Sequence, residues 1–150
     1  MELILWRHCD AEAGVPDELR RLTQLGLQQA ARMAQWLAQR LPDGCRIVVS
    51  PAVRAQQTAQ ALDRKFRTLR AVGAGASAAA VLAAVDWPAA GGAVLVVGHQ
   101  PTLGRVASLL LDGEEGDRAM DPGAIAWLAG RSSPGQRLAV LKTAIGPASL

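Results

Sequence analysis

The chain has 150 residues, half of them hydrophobic and 19% charged, with a formal charge of +3. That is ordinary globular composition and excludes a disordered tail or a fibrous repeat. Aromatic residues make up 3%, tyrosine is absent and no basic run is long, which argues against a nucleic-acid track.

The chain opens on Leu3-Ile4-Leu5-Trp6, an apolar run without polar alternation, and so on a strand buried on both faces. No basic stretch with an apolar segment and cleavage site precedes it, and no segment reaches the ~18 apolar residues of a membrane span. A soluble cytoplasmic protein is the expectation. Cys9 and Cys45 form neither a disulfide framework nor a metal-ligand pattern.

The polar stretch from Asp10 to Arg21 reads as a loop. Thr23 caps a long helix ending near Leu41, with Ala30, Met33, Ala34, Leu37 and Leu41 as its buried stripe. Cys45 to Val49 is the second strand. Ser50 then caps a helix with Pro51 at its first position, and Ala55, Ala59, Leu62 and Phe66 face inward. Arg64, Lys65, Arg67 and Arg70 fall at the end of that helix as a solvated rim.

A short strand is expected around Thr68 to Val72 and a small helix from Ala78 to Val85. Ala93 to Val97 is another buried strand, followed by a helix from about Pro101 with Leu103, Val106, Ala107, Leu110 and Leu111 inward. After an acidic loop from Asp112 to Gly123, two strands follow, Ala124 to Leu128 and Leu138 to Leu141, joined through Gly130 to Gly135. Alternating strands and helices predict one α/β domain over residues 1–150, with a mostly parallel central sheet and helices on both faces in three layers.

Open α/β sheets bind ligands beyond the carboxyl ends of their strands. Both histidines stand there: His8 follows the first strand beside Arg7, and His99 follows the strand at Ala93 to Val97. Arg54 lies in the first turn after the second strand. Guanidiniums bind phosphate oxygens bidentately, and helix N-termini favour anions, so the inferred ligand is a phosphoryl group.

Arg7-His8, Leu22-Thr23-x-x-Gly26, Ser50-Pro51-x-x-Arg54-Ala55-x-Gln57-Thr58-Ala59 and Gly98-His99-x-Pro101 resemble the signature of the histidine phosphatase (phosphoglycerate mutase-like) superfamily. The short chain and the Arg-His-x-Asp-Ala opening look most like its SixA-type phosphohistidine phosphatases. The resemblance runs from about Leu3 to Leu110. It implies a phosphoglycerate mutase-like fold and an enzyme in which His8 attacks phosphorus, forming a phosphohistidine. Arg7, Arg54 and His99 would hold the phosphoryl oxygens. It implies no cofactor or metal, since the arginines supply the positive charge.

Arg20 and Arg21 are further candidates for phosphate contact at the mouth of the site. Cys9 stands where the family usually has glycine. It is expected either to border the phosphate, with a thiol activated by the arginines, or to be a tolerated small residue. A general acid is missing from Ala71 to Ser77, and only Asp63 and Asp86 lie between Arg54 and His99. Phosphomonoesters need such an acid more than phosphohistidine does. The substrate expected is therefore a phosphohistidine in a signalling or phosphorelay protein. The alternatives are a small-molecule phosphatase, with Asp10, Glu12 or Asp86 as acid, and a silent phosphate-binding adaptor.

Overall fold

The computed structural model describes residues 1–131 and 138–150. In chain order the strands are β1 (Glu2–Arg7), β2 (Arg46–Val49), β3 (Arg67–Thr68), β4 (Ala93–Gly98), β5 (Ile125–Gly130) and β6 (Ala139–Ile145). The helices are α1 (Gln24–Ala38), α2 (Val53–Gln60), α3 (Ala78–Ala84) and α4 (Thr102–Asp112). One sheet takes the order β3-β2-β4-β1-β5-β6. The first four strands of that order pair in parallel, and β5 and β6 run antiparallel to their neighbours.

The apolar runs of β1 and β4 divide their side chains between two cores. Leu3, Leu5, Val94 and Val96 pack with Val81 of α3 and with Leu103, Val106 and Leu110 of α4. Ile4, Trp6, Leu95 and Val97 pack with Met33 and Leu37 of α1 and with Ala55 and Ala59 of α2. A strand covered by helices on both faces has no solvent side on which to place polar residues. Truncating a fully buried leucine such as Leu5 or Leu37 to alanine costs about 2–5 kcal/mol.

Most helix expectations hold. Thr23 caps α1 by accepting from the Gly26 amide at 2.9 Å, and the inward stripes of α1 and α4 are buried as expected, although α1 ends at Ala38 and Leu41 packs on the same core from beyond it. The helix after the second strand is the main correction. It begins at Val53, because the Ser50 hydroxyl accepts from the Ala52 amide two residues on and forms a turn rather than a helix cap. It ends at Gln60, and Asp63 then adopts a left-handed φ of 53°. Phe66 and the Arg64–Arg70 cations therefore lie beyond the helix, although Phe66 still packs on the same core.

The strand expected at Thr68 to Val72 is the two-residue β3 followed by a 3₁₀ turn at Arg70–Val72. Strand β6 extends to Ile145, four residues past the expected end. The expected connection through Gly135 falls outside the described residues. Among the described residues no helix is long and apolar enough to cross a membrane.

Parallel register brings three strand ends to one edge, where Arg7 pairs with Gly98 and Val49 with Val97. The His8 amide bonds to Gly98 O and the Ser50 amide to Val97 O, both at 3.0 Å. Strand β5 runs the other way, so its entry loop reaches the same edge, and Trp6 Nε1 donates to Gly123 O at 3.1 Å.

Candidate active site

His8, Arg54 and His99 meet at this edge, with 8%, 4% and 3% of their surfaces exposed. The imidazole centroids are 5.2 Å apart and tilted by 57°. His8 Nδ1 lies 2.8 Å from the Cys9 carbonyl oxygen, which can only accept, so the proton sits on Nδ1 and Nε2 is unprotonated. Arg54 Nε donates to that Nε2 at 3.3 Å.

His99 is oriented by the same logic. Arg54 Nη2, a donor, lies 3.4 Å from His99 Nδ1, so the ring proton is on Nε2, 2.7 Å from the buried Ser50 hydroxyl. Burial, opposed only in part by the Cys9 carbonyl, pushes His8 down to about 4, with Arg54 and Arg7 adding repulsion. Burial and the neighbouring His8 and Arg54 push His99 down to about 3. Both imidazoles are neutral at neutral pH.

Arg54 divides its guanidinium between two tasks. The Nε–Nη2 edge faces the two imidazoles. The Nη1–Nη2 edge is held by Asp17, whose carbonyl oxygen accepts from Nη1 at 2.8 Å and whose Oδ2 accepts from Nη2 at 3.0 Å. Asp17 begins a 3₁₀ turn, Asp17–Leu19, in the stretch expected to be a plain loop. Nothing in its spacing marked it; the local cue was an acid three residues before Arg20, with which it forms an ion pair at 3.0 Å.

Arg7 enters from β1. Its Nη1 donates to the Met120 carbonyl at 2.8 Å, and its Nε is buried without a partner, the sole such side-chain nitrogen or oxygen among the described residues. A buried guanidinium N–H without an acceptor is costly unless an anion completes it. Behind these groups, the Thr58 hydroxyl donates to Arg54 O at 2.8 Å and accepts from the Cys9 amide at 3.1 Å. It ties the His8 loop to α2. Close packing fixes the loop from the other side: a methyl group on Gly26 would stand 2.0 Å from Asp10 O.

Three expected contacts are not made as anticipated. The Cys9 side chain is fully buried against Leu22 and Ala30, so it does not border the anion pocket. Desolvation pushes its thiol up to about 12, the reverse of an activated cysteine, and only its backbone serves the site. Arg20 reaches the rim, but its Nε donates to Glu12 O at 2.7 Å and its Nη1 to Asp17. It braces Asp17 instead. Arg21 is exposed, and among the described residues no side-chain hydrogen bond joins it to the site. The Ala11–Leu22 bridge keeps this segment extended, so successive side chains point opposite ways.

The candidate acids are also placed elsewhere. The Asp10 carboxylate accepts from the Thr23 hydroxyl at 2.7 Å, and Glu12 is exposed. Asp86 lies in the connection leading into the start of β4, at the opposite edge of the sheet. Among the described residues no group of three or more His, Cys, Asp or Glu is arranged to hold a metal ion.

Residues 3–72 match the model of the histidine phosphatase superfamily, branch 1. A SixA-type structure from Nakamurella multipartitia is 30% identical and superposes with a TM-score of 0.79 over 97% of this chain and 95% of that one. The chain belongs to the histidine phosphatase superfamily. Within it, the chain is similar to SixA proteins. A structure of the protein histidine phosphatase SixA complexed with tungstate is 25% identical, with a TM-score of 0.83 over 99% of this chain and 98% of that one. A phosphohistidine phosphatase SixA homolog of Haemophilus influenzae is 39% identical over 72 residues, which is 44% of either chain. The match thus spans less than half the length of that curated relative.

Proposed function

We propose that this protein is a phosphatase that works through a phosphohistidine on His8 and acts on phosphohistidine in a signalling or phosphorelay protein. The observation that carries the reading is the unprotonated Nε2 of His8, set beside the Nε–Nη2 edge of Arg54 and the His99 ring in one buried cluster. A neutral imidazole with its proton parked on a carbonyl is a competent nucleophile toward phosphorus. Arg54 and the unpartnered Nε of Arg7 supply the charge and donors that a transferring PO₃ group needs.

The first step forms the Nε2–P bond and expels the leaving group. The resulting phospho-His8 ring keeps its Nδ1 proton on the Cys9 carbonyl, so it carries a positive charge and is readily displaced. Water then attacks phosphorus, and His8 departs as the neutral imidazole it began as. A dianionic substrate also favours a proton on His99 Nδ1, which would turn that nitrogen into a donor toward the phosphoryl oxygens.

The substrate class follows from the acids. The Asp10 carboxylate is engaged by the Thr23 hydroxyl, Glu12 is exposed and Asp86 lies in the connection into β4, and an alkoxide without a proton donor is a poor leaving group. A phosphohistidine ring needs no such donor from the enzyme. The similarity to SixA proteins supports the same choice.

Acid-stable and acid-labile label from a ³²P-phosphohistidine protein, followed in the parent and in His8→Ala, tests this. The parent should show an acid-labile, alkali-stable phosphoenzyme and release inorganic phosphate. His8→Ala should show neither, with its fold intact. Parent-like turnover in His8→Ala would end the assignment, and faster turnover of sugar phosphates than of phosphohistidine would move the substrate class.

A further inference from the structure

A cavity of about 280 Å³ opens beside the site, its lining including Asp17, Glu18, Ser50, Ala52, Arg70 and Gly73. That is at the small end for ligand sites, suited to one side chain rather than a large metabolite. It adjoins the cluster through Asp17, which holds Arg54, and Ser50, which contacts His99. None of these wall residues hydrogen-bonds to His8. A leaving group expelled in line must lie across phosphorus from His8 Nε2, and this cavity meets the cluster at Asp17 and Ser50, which contact Arg54 and His99 rather than His8.

We propose that this cavity receives the leaving imidazole of the substrate and that the Asp17 carboxylate accepts the N–H on its unphosphorylated nitrogen. This deepens the phosphohistidine reading and rests on it. The Asp17 side chain is 59% exposed, so its carboxylate is accessible from the cavity while Arg54 and Arg20 occupy one site on each oxygen. A carboxylate oxygen has further acceptor capacity after one such bond. The Arg54 hydrogen bond also holds Asp17 below the usual carboxylate range, so it stays ionised. An ionised carboxylate cannot give a proton to an alkoxide, but it can hold an imidazole N–H.

In the step itself the substrate ring arrives protonated on its unphosphorylated nitrogen. His8 Nε2 bonds to phosphorus, the P–N bond breaks with its electron pair returning to the ring, and neutral imidazole departs with its N–H on Asp17. Asp17 thereby selects a phosphorylated imidazole over a phosphorylated alcohol.

Asp17→Asn tests this, measured on a phosphohistidine peptide and on p-nitrophenyl phosphate, whose leaving phenolate needs no partner. The thermal midpoint and inhibition by inorganic phosphate are followed in parallel, to report on the fold and on Arg54. Because Asp17 also holds Arg54, some loss is expected on both substrates; a hydrogen bond to a charged group predicts a kcat/KM loss on the peptide about 10- to 100-fold larger than that on the aryl phosphate. In the unmodified protein, imidazole should inhibit better than 1-methylimidazole, which has no N–H in its neutral form. That difference should vanish in Asp17→Asn.

Equal losses on both substrates together with weakened phosphate inhibition would mean that Asp17 only positions Arg54, and would overturn the proposal. So would an unchanged variant, or equal inhibition by the two imidazoles. A parent protein inert toward both substrates would overturn the phosphatase reading itself, a result distinct from any of these.

Discussion

Arg54 Nε points at His8 Nε2 across 3.3 Å, so the guanidinium that would grip a phosphoryl oxygen already faces the lone pair that would attack phosphorus. The same cation repels a proton from that nitrogen. Nucleophile and electrophile-holder are thus poised against each other before any substrate arrives.

This poise sets the pH dependence. His8 is held at about 4 and His99 at about 3, both against an ordinary 6.5. The acid limb that these two histidines contribute to the kcat/KM profile should fall near pH 4 rather than near 6.5. Initial rates on a phosphohistidine peptide check this, and an acid limb centred near 6.5 would contradict it.

Stability moves with the same groups. The unfolded chain binds protons on these histidines below pH 6.5, whereas the folded chain does so only near 4 and 3. Their contribution is therefore complete above 6.5 and is lost progressively as pH falls through the folded values. Thermal midpoints in phosphate-free buffer should decline across that window.

Arg7 Nε is a donor waiting for an acceptor. Phosphate or tungstate should raise the thermal midpoint, by an increment equivalent to about 2.7 kcal/mol at a hundred times Kd. Arg7→Ala should lose most of that increment and about 10²- to 10³-fold in kcat. A full oxyanion shift in the variant would place the anion elsewhere.

Ser50→Ala should leave the His99 Nε2 proton buried without an acceptor and free the ring to rotate. The expected cost is about 1–3 kcal/mol in stability, read from denaturant midpoints. Misorientation of one ring should lower kcat by up to about 100-fold while KM changes less.

The thiol of Cys9 should be inert. Buried completely and held near 12, it should react with iodoacetamide only after unfolding, while the half-buried Cys45 is alkylated sooner. Cys9→Gly should keep its activity and lose stability, since it removes packing against Leu22 and Ala30.

Much of this was readable from side-chain periodicity. The unalternated runs at Leu3–Trp6 and Val94–Val97 announced strands with helices over both faces, and each histidine marked where such a strand ends. What escaped was decided by single polar contacts. Ser50 looked like a helix cap because its hydroxyl could equally bond two residues ahead or serve a distant imidazole, and it does both of the latter. Asp17 belongs to no periodic pattern; its role exists only because the chain folds back over Arg54. Of the two expectations for Cys9, the tolerated small residue agrees with the structure and the phosphate contact does not, because proximity in sequence to Arg7 and His8 says nothing about which way the side chain turns, and it turns into the core.

The order of the sheet carries one more consequence. His8 and Arg54 both lie within the first 72 residues, yet β1 and β2 are not neighbours: β4, arriving some forty positions after Arg54, is inserted between them. It acts as a keystone. A fragment holding both of those side chains, however well it retained its own helices, would lack the spacer that sets their separation, so the anion cradle cannot predate the arrival of the strand that also brings His99.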